Sequence, residues 1–312
     1  MPLAASFHNR LRLPAIVAPM FLISGPDLVV ETCAGGLVGT FPALNQRSTQ
    51  GLRDWIQQIR ARLAHLPDAA PFGVNLVAHK TNPRLEADLQ VCIDEKVPLI
   101  ITSLGAVSGL VAQVQAYGGA VFHDAISARH ARKAAEAGVD GIIAVAAGAG
   151  GHAGSISPFA LLSEIRTFFD GTLVLAGAIN TGRDIAAAQM MGADMAYLGT
   201  RFIATQEAMA APDYKQMLVD SGASDVILTP RVSGVNANFL RPSLLAAGLD
   251  PDNLPEPGAL DVHAEARVWR DLWSAGQGVG AICDVPPARA LCDRLVGEHA
   301  AAVSGFCAAN RG

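Results

Sequence analysis

The chain has 312 residues, of which 51% are hydrophobic and 16% charged, a composition typical of one large globular domain or two of ordinary size. A net charge of −5 and scattered Lys and Arg residues argue against nucleic-acid binding, and no apolar run is long enough to span a membrane. The five cysteines show no CxxC pair and no metal-ligand spacing with histidine, so we expect reduced thiols, no metal site and a cytoplasmic protein.

Eight short, apolar runs predict β-strands. Their hydrophobicity is continuous rather than alternating, which is typical of parallel strands covered on both faces. The predicted strands are Ala15–Met20, Leu37–Ala43, Phe72–Ala78, Leu99–Leu104, Ala120–Ala125, Gly141–Ala147, Leu173–Ile179 and Met195–Phe202.

Amphipathic stretches between these runs predict helices, with Ser127 and Thr181 capping two of them and Gly138 and Gly192 ending the same two. Eight strand–helix units at regular spacing favour an α/β fold of the TIM (β/α)8 barrel type, with a doubly wound open sheet as the alternative. The predicted helices are Asp27–Ala34, Gln50–Ala64, Pro83–Glu95, Ser108–Tyr117, Ala128–Ala137, Pro158–Phe169 and Arg183–Met191.

The strand–helix alternation ends near residue 206. Residues 207–275 contain helical patterns at Tyr214–Ser221 and His263–Trp273 and a proline-rich loop at Leu249–Leu260, with no convincing strand alternation. We expect 207–275 to form a smaller, mainly helical substrate domain or lid over one mouth of the barrel. Residues 1–206 and 276–312 would form the barrel, which closes with a helix at Pro287–Val303.

The sixth predicted strand leads into the most informative loop of the chain, Gly148-Ala149-Gly150-Gly151-His152-Ala153-Gly154. Active sites of TIM barrels lie at the carboxyl ends of the strands. Glycine is costly to order, so this loop makes sense if a flat, phosphate-bearing cofactor approaches the main chain while the imidazole of His152 points at it. Such an imidazole accepts a proton or holds the charge of a bound anion.

Small residues follow the seventh and eighth strands, where barrels of this kind commonly bind a phosphate through backbone N–H groups. Gly177 and Ala178 lie in the first of these loops, and Gly199 and Thr200 in the second. No GxxxxGK[ST] motif is present, so this is not a nucleotide-triphosphate loop. Polar residues also mark the ends of the third, fourth and fifth strands: Asn75, Ser103, His123 and Asp124.

The chain resembles the FMN-dependent nitronate monooxygenases, formerly called 2-nitropropane dioxygenases. The matching motifs are APMFLISGPDLV, AGGLVGTFPA, PFGVNL, AGVDGI, GAGGHAG, GAINTG, GADMAYLGTRF and WSAGQGVGAI, and they recur in family order over almost the whole chain. This resemblance implies a TIM barrel with a smaller helical substrate domain and bound FMN. It implies a catalytic role for His152 and cofactor contacts for Ala18, Met20, Asn75, Ser103, His123, Gly151, Gly154, Gly177, Ala178, Gly199, Thr200, Gln277 and Gly278.

The resemblance further implies oxidation of alkyl nitronates by O2 to a carbonyl compound and nitrite. It also leaves open an NAD(P)H-dependent quinone reductase, a flavin enoyl-thioester reductase or a non-catalytic FMN-binding protein. Two positions depart from the family pattern: Ala178 stands where a second glycine is usual, and His123-Asp124 stands where many relatives have a lysine or another polar group. For His123, a structural role and a cofactor contact are equally supported. The oligomeric state stays open, with a homodimer as one option.

Overall fold

A closed barrel of eight parallel strands forms the centre of the computed structural model, which describes residues 7, 9–105, 108–256 and 270–310. Neighbouring barrel strands pair in chain order, and the last pairs with the first at Ala15 and Ala196. The barrel strands are β1 (Ala15–Val17), β2 (Val38–Pro42), β3 (Phe72–Val77), β4 (Leu99–Ser103), β5 (Ala120–Ala125), β6 (Gly141–Val145), β8 (Thr172–Ala176) and β9 (Met195–Leu198). The predicted TIM barrel is therefore confirmed.

Helices surround the barrel as predicted. Ser127 accepts a hydrogen bond from the N–H of His130, and Thr181 forms a capping box with Asp184. Gly138 and Gly192 follow the ends of the same two helices with φ of +83° and +98°, in the left-handed region that favours glycine. The helices are α1 (Pro26–Ala34), α2 (Thr49–Leu63), α3 (Leu85–Asp94), α4 (Ser108–Ala116), α5 (Ala128–Glu136), α6 (Pro158–Arg166), α7 (Gly182–Met190), α8 (Thr200–Ile203), α9 (Pro212–Asp220), α10 (Arg241–Ala246) and α11 (Ala288–Ala309).

The strands are buried on both faces, which explains their continuous hydrophobicity. Alternate side chains of each strand fill the barrel interior, where Phe7 stacks against Phe122 with 6.0 Å between ring centroids. The other side chains pack against the ring of helices. On β5, Ala120 and Phe122 point inward while Val121 and Ala125 point outward. None of the helices in the described ranges is long and apolar enough to cross a membrane.

A small antiparallel sheet lies beside the barrel and was not predicted. It consists of β10 (Val226–Thr229), β11 (Ala237–Leu240) and β7 (Gly151–His152), with β11 in the middle. Residues 207–275 show no convincing strand alternation because four-residue strands are too short to display it. The helix predicted at Tyr214–Ser221 is present as α9. Most of the His263–Trp273 helix and the end of the Leu249–Leu260 loop lie outside the described residues.

Several barrel strands end earlier than their apolar runs. The eighth barrel strand, for example, was predicted to reach Phe202 but ends at Leu198. Beyond these ends the chain leaves the ladder, and residues such as Gly199 and Thr200 line a cavity at the rim of the barrel. The carboxyl ends of the predicted apolar runs therefore supply residues of the cavity wall.

Candidate active site

A cavity of about 1270 Å³ opens at the carboxyl ends of the barrel strands. A site at this end is what the barrel topology leads one to expect. Gly154 and Gln277 do not line this cavity. The other predicted site residues do, and they come from every part of the rim: Ala18, Met20, Asn75, Ser103, His123, Gly151, His152, Gly177, Ala178, Gly199, Thr200 and Gly278.

Different structural constraints explain the individual glycines of the loop after β6. Gly148 and Gly151 have φ of +89° and +67°, which favour glycine. A Cβ on Gly150 would lie 3.0 Å from the N atom of Gly276, so here the chain's own later segment makes the close approach. A side chain on Gly154 would collide with the carbonyl of Val145. Packing within the chain therefore explains Gly150 and Gly154, while Gly151 lies open on the cavity wall.

His152 is held in place by a strand that is distant in sequence. As part of β7 it pairs with Ala237 of β11, and Gly151 pairs with Asn238. The Asn238 Nδ2 group donates to the carbonyl of Ala149 at 2.6 Å. Because β11 belongs to the 207–275 segment, that segment positions the loop carrying the predicted catalytic residue.

The C-terminal part of the chain holds the same loop from another side. The N–H of Gly151 donates to Ser274 Oγ at 2.7 Å, and the N–H of Gln277 donates to the carbonyl of Gly148 at 2.9 Å. Gln277 thus supports the wall from behind. Gly278 packs so closely against the Asn180 side chain that a Cβ would collide with it. The segment 274–278 is therefore part of the framework of the site.

The loops after β8 and β9 form the opposite wall. Gly177 has a φ of +139°, and Ala178 occupies the left-handed region at +53°, an uncommon conformation for a residue with a Cβ. The Ala178 N–H donates to the carbonyl of Gly148 at 3.3 Å, so this amide is used within the protein. The Thr200 Oγ1 accepts a hydrogen bond from the N–H of Gly276 at 2.9 Å and keeps its own proton for another acceptor.

Gly199 differs from these residues because the fold itself has no need of a glycine there. Its φ of −107° suits any residue. A Cβ would lie 3.7 Å from the Cβ of Ala18 and 3.8 Å from the Sδ of Met20, which are ordinary contacts. A side chain here would extend into space that the cavity now provides.

Polar side chains lie in the wall formed by β3, β4 and β5. The Asn75 Nδ2 group donates to the Ile101 carbonyl at 3.2 Å and to Ser103 Oγ at 3.3 Å. His123 is 5% exposed, and its Nδ1 lies 2.8 Å from Thr102 Oγ1. Burial, together with the nearby charge of His130, lowers the pKa of His123 to about 4, so its ring is neutral at physiological pH.

Asp124 and Tyr197 are two polar residues of the cavity wall, and the charge of Asp124 acts on Tyr197. Both line the cavity, and the Oδ1 of Asp124 is buried without a hydrogen-bond partner. Burial raises the pKa of Asp124 to about 7. Burial also raises the pKa of Tyr197 well above its usual value, and the Asp124 carboxylate adds to this. The sequence feature that could have identified this site is a polar residue, Asp124, at an inward-facing position near the end of an apolar strand.

The sequence patterns also missed a basic rim and an aromatic pair. Arg47 and Lys133 are exposed residues that line the cavity. Arg84 lines it too, but its guanidinium forms an ion pair with the buried Asp88. Tyr214 stacks on Trp273 with 4.9 Å between ring centroids, and its hydroxyl accepts from the Ser274 N–H at 3.1 Å. The rim is thus able to attract an anion, while the aromatic pair fixes segment 274–278.

The family model for nitronate monooxygenase matches residues 81–251, more than half of the chain. The chain belongs to the nitronate monooxygenase family. The chain is 28% identical to a nitronate monooxygenase of Paraburkholderia phytofirmans over 299 residues, which cover 81% of this chain and 80% of that protein. The resemblance seen in the motifs is therefore confirmed at the level of the family.

A second relative has a different name. The chain is 29% identical over 232 residues to the (3aS,4S,5R,7aS)-5-hydroxy-7a-methyl-1-oxo-octahydro-1H-indene-4-carboxyl-CoA dehydrogenase of Rhodococcus jostii, covering 74% of this chain. The match spans only 64% of the length of that protein and of its counterpart in Mycobacterium tuberculosis. Among solved structures, a nitroalkane oxidase of Streptomyces ansochromogenes superposes with a TM-score of 0.83 at 26% identity, covering 96% of this chain and 100% of that one.

Proposed function

We propose that the chain binds FMN in the strand-end cavity and oxidises alkyl nitronates with O2 to a carbonyl compound and nitrite. The observation that carries this proposal is one cavity lined both by His152 and by the small residues after β8 and β9. Membership of the nitronate monooxygenase family supports the reaction class.

The residues present fit a flavin. Neither the backbone conformation nor the packing at position 199 requires a glycine. The absence of a side chain there leaves space in the cavity, as expected where a ligand lies against the chain. Gly177, Gly199 and the Thr200 hydroxyl would hold the phosphate, with Ala178 shaping the turn between them. Ala18, Met20, Asn75, Ser103 and the open Gly151 would contact the ring system. Gly154, Gln277 and Gly278 would support this wall by packing.

The protein's own contribution to the reaction would centre on His152. Its imidazole would bind the nitronate oxygens or take a proton from a neutral nitroalkane. The flavin, when bound, supplies the electron transfer between substrate and O2. Because β11 and segment 274–278 hold the loop of His152, the ring would be positioned before substrate arrives. The 207–275 segment would thus act as the substrate domain.

A second candidate function is oxidation or reduction of a CoA thioester. Two curated relatives are named carboxyl-CoA dehydrogenases, and the basic residues Arg47 and Lys133 at the rim suit a phosphate-bearing substrate. In this case the same flavin site would exchange electrons with a thioester or with NAD(P)H instead of a nitronate. We favour the nitronate reaction because the family model that matches this chain is that of the nitronate monooxygenases.

Anaerobic titration of the flavin-loaded protein separates the nitronate reaction from a reductase that uses NAD(P)H. Propionate 3-nitronate, propyl-2-nitronate, NADH and NADPH are added in turn while the yellow absorbance is followed. Bleaching by a nitronate, with nitrite formed after air is admitted, is the expected result. Bleaching by NADH or NADPH alone would favour a reductase. A protein that neither carries nor takes up FMN would overturn the proposal.

A further inference from the structure

Asp124 is a half-buried titratable group, with its Oδ1 atom buried, that the proposed reaction does not use. It lies near the end of β5, with the same inward orientation as Ala120 and Phe122. Its side chain therefore ends at the top of the barrel interior, directly in the wall of the cavity. It is the last inward-facing residue of its strand, where a ligand in the cavity would meet it.

The described surroundings of Asp124 offer its buried Oδ1 atom no compensation. Its Oδ1 is buried and has no hydrogen-bond partner in the described part of the chain. The neighbouring strands β4 and β6 carry no titratable side chain. Tyr197 faces it from β9 and is not a cation. A buried carboxylate without a cation or donor is costly, so such a group tends to keep its proton.

Other charged or titratable side chains line the same cavity, and a change in pH acts on some of them as well. His123 is on the same strand but points to the opposite side, where it contacts Thr102. The remaining groups come from the loops and from α5 and are His130, Lys133, His152, Arg47 and Arg84. Described ion pairs of the chain do not include Asp124.

We propose that Asp124 binds the ligand of this cavity as a neutral carboxylic acid, whose proton is donated to an acceptor atom of that ligand. The inference rests on the proposed function, in which the ligand is FMN and the acceptor is on its ring system. A flavin ring has carbonyl oxygens and ring nitrogens that accept hydrogen bonds. The hydrogen bond from the carboxylic acid to the ligand would give the Asp124 carboxyl group the partner that the protein does not provide.

The proposal makes ligand binding depend on pH. Burial raises the pKa of Asp124 to about 7, so the acid loses its proton just above neutrality. The resulting carboxylate no longer donates, and it faces acceptor atoms of the same sign of charge. Binding of FMN, and of an anionic nitronate beside it, therefore weakens as pH rises through this range.

The test is the dissociation constant of FMN, measured by quenching of its fluorescence between about pH 6 and 8.5. Wild type is compared with Asp124→Asn, which keeps a donor but cannot ionise, and with Asp124→Ser as a second neutral donor. Asp68→Asn changes an exposed acid between α2 and β3 and serves as the matched control. The phosphate of free FMN itself titrates near pH 6, whichever variant it is mixed with, so riboflavin, which has no phosphate, is measured as a second probe.

Between about pH 6 and 8.5, the dissociation constant for FMN should rise in wild type and in Asp68→Asn. This rise should be about tenfold larger than the rise in Asp124→Asn or Asp124→Ser. Equal pH profiles in wild type and in either Asp124 variant would overturn the inference while leaving FMN binding intact. Failure of wild type to bind FMN or riboflavin at any pH would instead refute the proposed function, and the inference with it.

Discussion

Neutral substitutions of His123 and Asp124 should change the pH dependence of stability in opposite directions. The two residues are neighbours on β5, but their side chains point to opposite faces of the strand. Burial lowers the pKa of His123 to about 4, with a further contribution from His130, and burial raises that of Asp124 to about 7. Around pH 5.5 both side chains are therefore neutral in the folded protein, and they form no ion pair.

The signs follow from proton binding. Between the folded value of about 4 and the usual 6.5, the unfolded chain binds a proton at His123 that the folded chain excludes, so stability rises with pH. Between the usual 3.8 and about 7, the folded chain holds a proton at Asp124 that the unfolded chain releases, so stability falls as pH rises. At about 1.4 kcal/mol per pH unit, the two effects total about 3 and about 4 kcal/mol and nearly cancel.

Urea unfolding of ligand-free protein at several pH values between about 4 and 7 measures these slopes. Asp124→Asn removes the Asp124 effect, so from pH 4 to 6.5 its stability should rise by about 3 kcal/mol relative to that of wild type. His123→Gln removes the His123 effect, so its stability should fall relative to that of wild type over the same range. The double variant should resemble wild type, because the remaining titrating groups are common to all four proteins.

The slope, rather than the stability at one pH, is the decisive quantity. Loss of the contact between His123 and Thr102 lowers stability by a similar amount at every pH and leaves the slope unchanged. If Asp124→Asn and wild type had parallel profiles, Asp124 would not be a buried acid with a raised pKa. The assignment of a proton to this residue would then be wrong.

Three further predictions concern the proposed site. His152→Ala should keep bound flavin and lower kcat/KM by about 10²–10⁴, and unchanged turnover would exclude the role proposed for the ring. Gly199→Leu should purify colourless and melt at the temperature of flavin-free wild type, whereas Gly109→Leu, on the exposed start of α4, should stay yellow. Asn238→Leu removes the hydrogen bond to Ala149 and should lower turnover more than flavin affinity; equal losses would contradict a positioning role.

The architecture of the barrel was predictable because its signals are local. Each strand is an apolar run buried on both faces, and each helix is marked by an amphipathic pattern, with caps such as Thr181 and glycine stops such as Gly192. Since parallel barrel strands all present their carboxyl ends at one rim, identifying the strands also locates the site. His152 and Gly199 were predicted in this way to lie at the rim, and both line the cavity.

The structural role of individual residues depends on contacts between distant parts of the chain. The glycines around His152 are visible in the sequence, but contacts with distant segments show that Gly150 makes room for Gly276 and Gly154 for Val145. Strand β11 pairs with the loop across about 85 residues of intervening chain, a long-range pairing that no local pattern encodes. The missing partner of Asp124 is likewise a property of its surroundings, because burial and hydrogen bonding depend on which strands the closed barrel brings together.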